Sequence, residues 1–493
     1  ITFYFFLLFY RKLNNFTPSK IVLYAILFCQ AMTFISSCKI LINSLKSHKM
    51  TRTYEKDLTQ GSLSKGIFFY GLPLIFSNLL QVLFNISDVA VVGHFAGSLP
   101  LGSVGSTSQI LFLFTGLLMG LGGGVNVIIA YYIGAKSQKK LDLSLYSSFI
   151  VSMMVGLIIM LAGFFLARPI LTLIKTKAEL LDNAVTYFKI YILGMPGLAL
   201  YNYGNAVLSA AGDTKRPLYY LTIAGIVNVI LNLIFVIIFK MSCAGVALAS
   251  LISQYVSAIL VMIPLFHGIG NIKFQIKKFQ TNREITLRVL KIGIPSGMQN
   301  VIFAIANTFV QVGINSFDAN MVAGAAAGSN LDNIVYSAMN GFYVACATFI
   351  GQNYGAGNKK RIIKSMFISN AYAFTLGATL STLMFIFGHQ CLALFTNDPQ
   401  VIHAGYLRLS IMFFSYPFAS FMDNTIAASR GLGKTFIPSI IVFLGSCLFR
   451  IAWIYTVFAF FKTIQSLFLL YIFSWTITAI AEIIYFIRTY RKI

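Results

Sequence analysis

Residues 65 to 266 recur, in register, about 221 positions further along the chain, and this duplication limits the fold more than any other feature. At an offset of 222, Gly71, Pro73, Asn78 and Asn85 fall on Gly293, Pro295, Asn300 and Asn307. At an offset of 221, Gly134-Ala135 and Lys139-Lys140 fall on Gly355-Ala356 and Lys360-Arg361, and Pro196, Gly212, Thr214 and Pro217 fall on Pro417, Gly433, Thr435 and Pro438. Each copy holds six apolar spans, an even number. Both copies therefore start from the same side of a membrane and are related by an axis along its normal, as in transporters that enclose a site between parallel repeats.

The composition places the repeat in a bilayer. Of 493 residues, 58% are apolar and only 10% charged, with mean hydropathy +0.80, which excludes a soluble protein. Crossing the hydrocarbon core takes about 20 apolar residues. Such stretches lie at 67–92, 101–132, 143–166, 186–210, 218–239 and 243–265, and again at 292–315, 321–351, 365–388, 402–428, 436–459 and 464–487. The expected fold is an all-α polytopic membrane protein with twelve transmembrane helices in two pseudo-symmetric six-helix lobes. The lobes are 50–266 and 288–493, joined by a cytoplasmic linker, 267–287, and preceded by an extension, 1–49.

A net charge of +24 would suggest nucleic acid in a soluble chain, so the location of the charge decides. With Arg52, Lys56 and Lys65 on the cytoplasmic side, the connections on that side hold 23 basic residues. The other side holds seven: Arg168, Lys175, Lys177, Lys189, Lys240, Arg408 and Lys462. This is the positive-inside pattern. It sets both ends of the repeat unit in the cytoplasm of a multi-pass protein of the cell (inner) membrane, and the expected partners are membrane lipid and small solutes, with no nucleic acid.

The extension holds an uncharged stretch, 21–38, long enough for a thirteenth helix or an uncleaved signal. Such a helix would put Arg11, Lys12 and Lys20 outside, against the charge rule. The reading is that the protein starts at Met50, that 1–49 is an upstream artefact or a dispensable extension, and that Ser62 caps the first span. Six cysteines lie in or beside apolar spans without ligand spacing and five histidines are scattered singly, so no cofactor is expected.

An ionised side chain at the bilayer centre costs at least about 2.5 to 3.5 kcal/mol, which makes the few acids within spans the first candidates for function. Asp88 in the first span and Asp423 in the tenth are the clear cases, with Asp332 in the outer part of the eighth and Glu482 near the cytoplasmic end of the twelfth. Asn78, Gln81, Asn85 and Asp88 are spaced i, i+3, i+7, i+10 and share one helix face. A carboxylate on that stripe binds a cation when ionised or takes up a proton; the plain alternative is a packing residue satisfied by its Asn neighbours. Pro73 and Pro295 remove backbone hydrogen bonds and invite kinks. Asn202 and Asn205 on the fourth span, and Asn300, Asn307 and Gln311 on the seventh, form further stripes that either line a central cavity or hydrogen-bond neighbouring helices. Glycines 116, 120 and 122–124 favour close packing. Arg450 sits too deep in the eleventh span to snorkel and calls for a counter-ion, Asp423 or Asp332, in a coupling pair or a fixed structural one.

The stretches Gly71-Leu72-Pro73, Leu208 to Pro217 (LSAAGDTKRP) and Gly351 to Asn358 (GQNYGAGN), in order and within the two-fold repeat, resemble the multidrug and toxic compound extrusion (MATE) transporters over residues 50 to 493. The resemblance implies an exporter that alternates between inward- and outward-open states, driven by sodium ions or protons. It ties the position of Asp88 to cation coupling in the first lobe. The family's first-lobe site often adds Asn and Asp four residues apart on the fifth span; here the pair is Asn228 and Asn232, and Ser250 matches the site's hydroxyl. The missing charge weakens a sodium site, since hard cations are held by oxygen ligands and charge. Asp423 matches an aspartate linked to a second-lobe site in one branch, whose accompanying glutamate on the seventh span is absent.

The expected function is therefore a cation-coupled exporter of organic, cationic compounds acting as a monomer, with Na+ or H+ as coupling ion and no catalysis. A sodium ion at Asp88 would be the one metal. A lipid-linked oligosaccharide flippase of the same superfamily would want a more cationic cavity than Arg450 supplies. A membrane-embedded transferase would want clustered His, Asp or Glu at one face.

Overall fold

The computed structural model describes residues 57–275 and 279–493; the extension 1–49 and Met50 lie outside them. The first lobe runs α1 (Leu63–Phe95), α2 (Ser98–Gly134), α3 (Gln138–Leu173), α4 (Ala178–Ile192), α5 (Met195–Ala210), α6 (Lys215–Leu233), a π-helical turn Ile234–Ile238 and α7 (Ser242–His267). The second runs α8 (Arg283–Ile314), α9 (Ala319–Gly355), α10 (Lys359–Ile386), α11 (Gly388–Ala393), α12 (Pro399–Met412), α13 (Ser415–Gly431), α14 (Phe436–Val442), a π turn Phe443–Leu448, α15 (Phe449–Trp453), a π turn Ile454–Phe458, α16 (Ala459–Phe461) and α17 (Ile464–Arg491). Helices dominate because lipid offers no partner for backbone N–H and C=O groups, which must be satisfied within each segment.

Nine helices among the described residues are long and apolar enough to cross a membrane, and α4 with α5 makes a tenth across a 42° bend. Helix α10 and the α12–α13 pair occupy the repeat positions of α3 and α4–α5, which completes twelve spans in two lobes. The fourth and tenth spans, expected to be continuous, are each two helices. Pro196 and Pro417, repeat mates just after each break, cannot donate to the preceding turn. The linker is shorter than expected: α7 ends at His267 and α8 begins at Arg283, where the Asn282 side chain accepts from the Ile285 N–H. Ser62 stands at the N-cap of α1 but its hydroxyl makes no capping bond.

The duplication is visible in how the lobes meet. Helix α1 crosses α9 where a Cβ on Gly71 would lie 2.8 Å from the Phe342 ring, and α2 crosses α8 where a Cβ on Gly124 would lie 2.6 Å from the Gly293 Cα. At the ends of α2 and α9 a Cβ on Gly134 would run into the Gln352 carbonyl, and one on its repeat mate Gly355 into the Tyr131 carbonyl. The α2 glycines are thus packing residues, as expected.

This end of the seam carries the basic connections and is closed. Tyr131 and Tyr354 rings lie 5.4 Å apart across it, and the Arg288 guanidinium sits 4.8 Å over Tyr131. The segment before α1 is clamped to the other lobe. Gln352 Oε1 accepts from the Leu58 N–H at 3.0 Å, and Arg361 donates to the carbonyls of Leu58, Gln60 and Gly61 at 3.2, 3.1 and 3.0 Å.

Candidate cation site

In the first lobe, α1, α6 and α7 bring four polar side chains together. Asp88 Oδ1 accepts from Asn232 Nδ2 at 2.5 Å, and Oδ2 accepts from Ser250 Oγ at 3.1 Å. Asn228, one turn before Asn232 on α6, donates to Ser250 Oγ at 3.2 Å and accepts from Asn232 Nδ2 at 3.2 Å. Asn228, Asn232 and Ser250 are buried, while Asp88 is half-buried. None of the three ion pairs among the described residues involves Asp88. The carboxylate is held by neutral donors alone, and the buried Asn232 Oδ1 has no partner. Asn232 turns its amide nitrogen to Asp88 and Asn228; flipping that amide would set its oxygen there and, with the Asp88 carboxylate, the Asn228 amide oxygen and the Ser250 hydroxyl, give an all-oxygen set of the kind that holds a hard cation. The orphan amide oxygen is the acceptor such a cation would satisfy.

The other polar residues of the α1 stripe divide. Asn78 Nδ2 donates to the Ser337 carbonyl on α9 at 3.0 Å, and its repeat mate Asn300 donates to the Gly116 carbonyl on α2 at 2.9 Å. Gly116 and Ser337 are themselves 221 apart, so these are paired pins across the seam, and the cavity-lining reading of Asn78 and Asn300 gives way to helix bonding. Gln81 is half-buried and Asn85 exposed. On α5, Asn202 backs onto Gly122 and Asn205 accepts from Ser209 Oγ at 3.2 Å. Gln311 bonds Asn315 at 2.9 Å. Pro73 and Pro295 both lie inside their helices.

The second lobe corrects the expected ion pair. Arg450 makes no ion pair with Asp423 or Asp332. Its Nη1 donates to Asn307 Oδ1 at 2.8 Å, its Nε to Ser474 Oγ at 3.3 Å, and its guanidinium lies 4.4 Å from the Tyr471 ring centroid and 5.8 Å from that of Trp475. Two polar acceptors and two ring faces take the place of a carboxylate. Asp332 is held by Arg408, which donates to its Oδ2 from Nε and Nη2, to the Ala325 carbonyl from Nη1 at 2.9 Å, and lies 5.0 Å over Phe468. Arg408, expected among the basic residues of the outer connections, is buried at 6% exposure. Asp423 accepts from Tyr336 OH at 2.8 Å, and Arg430 donates across to Gln299 at 2.8 Å. Sequence reasoning missed Tyr336 and the Arg408 partner; the second is signalled only by an arginine falling within a helix that the repeat predicts.

Comparison with known proteins supports the fold and the duplication. The family model described as MatE matches twice, at residues 73–234 and 295–456. The chain is 29% identical over 381 residues to a probable multidrug resistance protein YpnP of Bacillus subtilis, covering 76% of this chain and 84% of that one. It is 26% identical over 401 residues to a probable multidrug resistance protein NorM of Thermotoga maritima, covering 78% and 83%. Among solved structures, a MOP superfamily transporter from Pyrococcus furiosus matches with TM-score 0.83 at 22% identity, over 88% of this chain and 97% of that one.

Proposed function

The chain belongs to the MATE family, and from that premise we propose that it is a secondary active exporter of organic, cationic compounds, driven by a sodium ion or proton entering at Asp88. The observation that carries this reading is the Asp88 cluster: a carboxylate within a span, bonded only by Asn232 and Ser250, beside the unpartnered Asn232 Oδ1. Asp88 binds the incoming cation, Ser250 and the two asparagines supply further oxygens, and α1 carries the effect. That helix holds both Asp88 and Pro73 and is pinned to the second lobe through Asn78 and Gly71. A change in how α6 and α7 grip α1 therefore acts directly on the seam. The basic face is taken as cytoplasmic by the charge rule, which makes the closed end of the seam the inner gate of a monomer in the cell membrane. The probable multidrug resistance role named for the relatives from B. subtilis and T. maritima fits this arrangement.

The test is efflux of a fluorescent organic cation from proteoliposomes under an imposed sodium gradient and then a proton gradient, for the native chain and Asp88→Asn. The expected result is gradient-driven efflux that Asp88→Asn abolishes. Efflux that persists in Asp88→Asn, or that ignores both gradients, would overturn the assignment.

A further inference from the structure

Glu482 has no part in the Asp88 cluster. It lies on α17 with 0% exposure, and neither carboxyl oxygen has a hydrogen-bond partner. It ends a polar file. Ser474, Thr478 and Glu482 are spaced i, i+4, i+8 on one face of α17, and each is 0% exposed. Thr478 Oγ1 donates to the Ser474 carbonyl at 2.6 Å and lies 3.3 Å from Ser446 Oγ, and Ser474 Oγ accepts from Arg450 Nε at 3.3 Å. Arg450 in turn reaches Asn307, which is exposed. The file therefore runs from an exposed amide on α8, past a buried arginine, to a carboxyl group in the interior of the second lobe.

A bare carboxylate in such a place is expensive, and burying one without a donor or counter-ion is what proteins avoid by neutralising the group. The elements packed against α17 bring several titratable or charged side chains. They are Asp423, Arg430 and Tyr416 on α13, His403, Tyr406 and Arg408 on α12, Cys447, Arg450 and Tyr455 along the eleventh span, and Arg283, Glu284, Arg288 and Lys291 in the first turns of α8. None of these bonds or pairs with Glu482. A sodium ion would need several oxygens around it. Among the described residues no polar side chain bonds either oxygen of Glu482. A proton needs no such shell.

We infer that Glu482 is a proton-binding site of the second lobe, separate from Asp88, that is loaded while the basic end of the seam is closed and exchanges its proton along the Ser474–Thr478 file when the lobes move. The carboxyl O–H forms or breaks at Glu482, and water reaching the file supplies or accepts the proton.

Infrared difference spectra of the reconstituted protein, triggered by a fluorescent organic cation, test this directly. The expected result is a carboxylic-acid C=O band that shifts in D2O, shifts with 13C-glutamate labelling, and is lost in Glu482→Gln while surviving in Asp88→Asn. Proton release on addition of the same cation, measured with a pH-sensitive dye, should fall by one per protein in Glu482→Gln relative to the native chain. The labelled native chain keeps the test open should Glu482→Gln fail to fold. A labelled glutamate spectrum with no acid band, or a band and proton count indifferent to Glu482→Gln, would overturn the inference, and neither result bears on Asp88, which the Asp88→Asn arm reads separately.

Discussion

Replacing Asn232 by aspartate restores the second acid that the family's pattern carries at this position, and the geometry sets the size of the effect. Asn232 Nδ2 stands 2.5 Å from Asp88 Oδ1, so a carboxylate there would place two negative centres about 4 Å apart. At an effective dielectric of about 20 their repulsion is about 4 kcal/mol. Asp88 is half-buried, and solvent screening trims this to about 2 to 4 kcal/mol. A bound cation removes the repulsion, and its binding stabilises the folded state by RT ln(1 + [L]/Kd), about 2.7 kcal/mol at a hundredfold excess over Kd. Asn232→Asp should therefore unfold more readily than the native chain in choline chloride, and recover on exchange to sodium chloride at equal ionic strength and pH. The assay is the thermal unfolding midpoint of detergent-solubilised protein across that exchange. Asp88→Asn/Asn232→Asp carries one carboxylate again and should lose the enhanced response. A sodium response in Asn232→Asp no larger than in the native chain would refute the reasoning, because it would mean that the two side chains do not share one ion.

Three other perturbations follow from the packing. Arg408→Leu strands Asp332 in the interior and should cost about 3 to 5 kcal/mol, whereas Asp332→Leu/Arg408→Leu should recover much of it; strictly additive losses in thermal midpoint would deny the pair. Gly120→Ala drives a Cβ into the Gly297 backbone and should cost about 1 to 3 kcal/mol while prising α2 from α8, seen as longer distances between spin labels on the α2–α3 and α9–α10 connections. Arg361→Ala removes three bonds to the segment before α1 and should speed amide hydrogen exchange at residues 58–61 without altering that of α17.

The spans, the two lobes and the Asp88 cluster were legible because each rests on periodicity or on the cost of a charge in lipid. Asp88 could be singled out from the sequence by that cost, and Asn228, Asn232 and Ser250 through resemblance; the bonds that join all four come only from the fold. The role of Asn78 and Asn300 was not legible, since a polar side chain on a helix face looks the same whether it meets a cavity or a neighbouring carbonyl. Their equivalence under the repeat was the available clue: a pair preserved at equivalent positions in both lobes suits a symmetric seam better than a site used by one lobe. Arg450 was misread because its need for a partner was equated with a need for a carboxylate, when aromatic faces and an amide oxygen serve.

That residue also shows how the two lobes diverge. The offset between copies is 221 at Pro217 and Pro438 and 222 at Lys240 and Lys462, both in the left-handed region at φ 54° and 49°. The π turn Phe443–Leu448 lies between these points and accommodates the extra residue. Beyond it, Asn228 corresponds to Arg450, while Asp88 corresponds to Val310 at the same offset. At these equivalent positions the first lobe has a carboxylate and an asparagine, and the second an apolar side chain and a guanidinium. A fixed guanidinium repels a mobile cation, so the positions proposed to hold a cation in the first lobe disfavour one in the second. On the proposed reading the Asp88 cluster therefore has no counterpart at the equivalent positions of the second lobe, and the proton site inferred at Glu482 lies elsewhere, on α17.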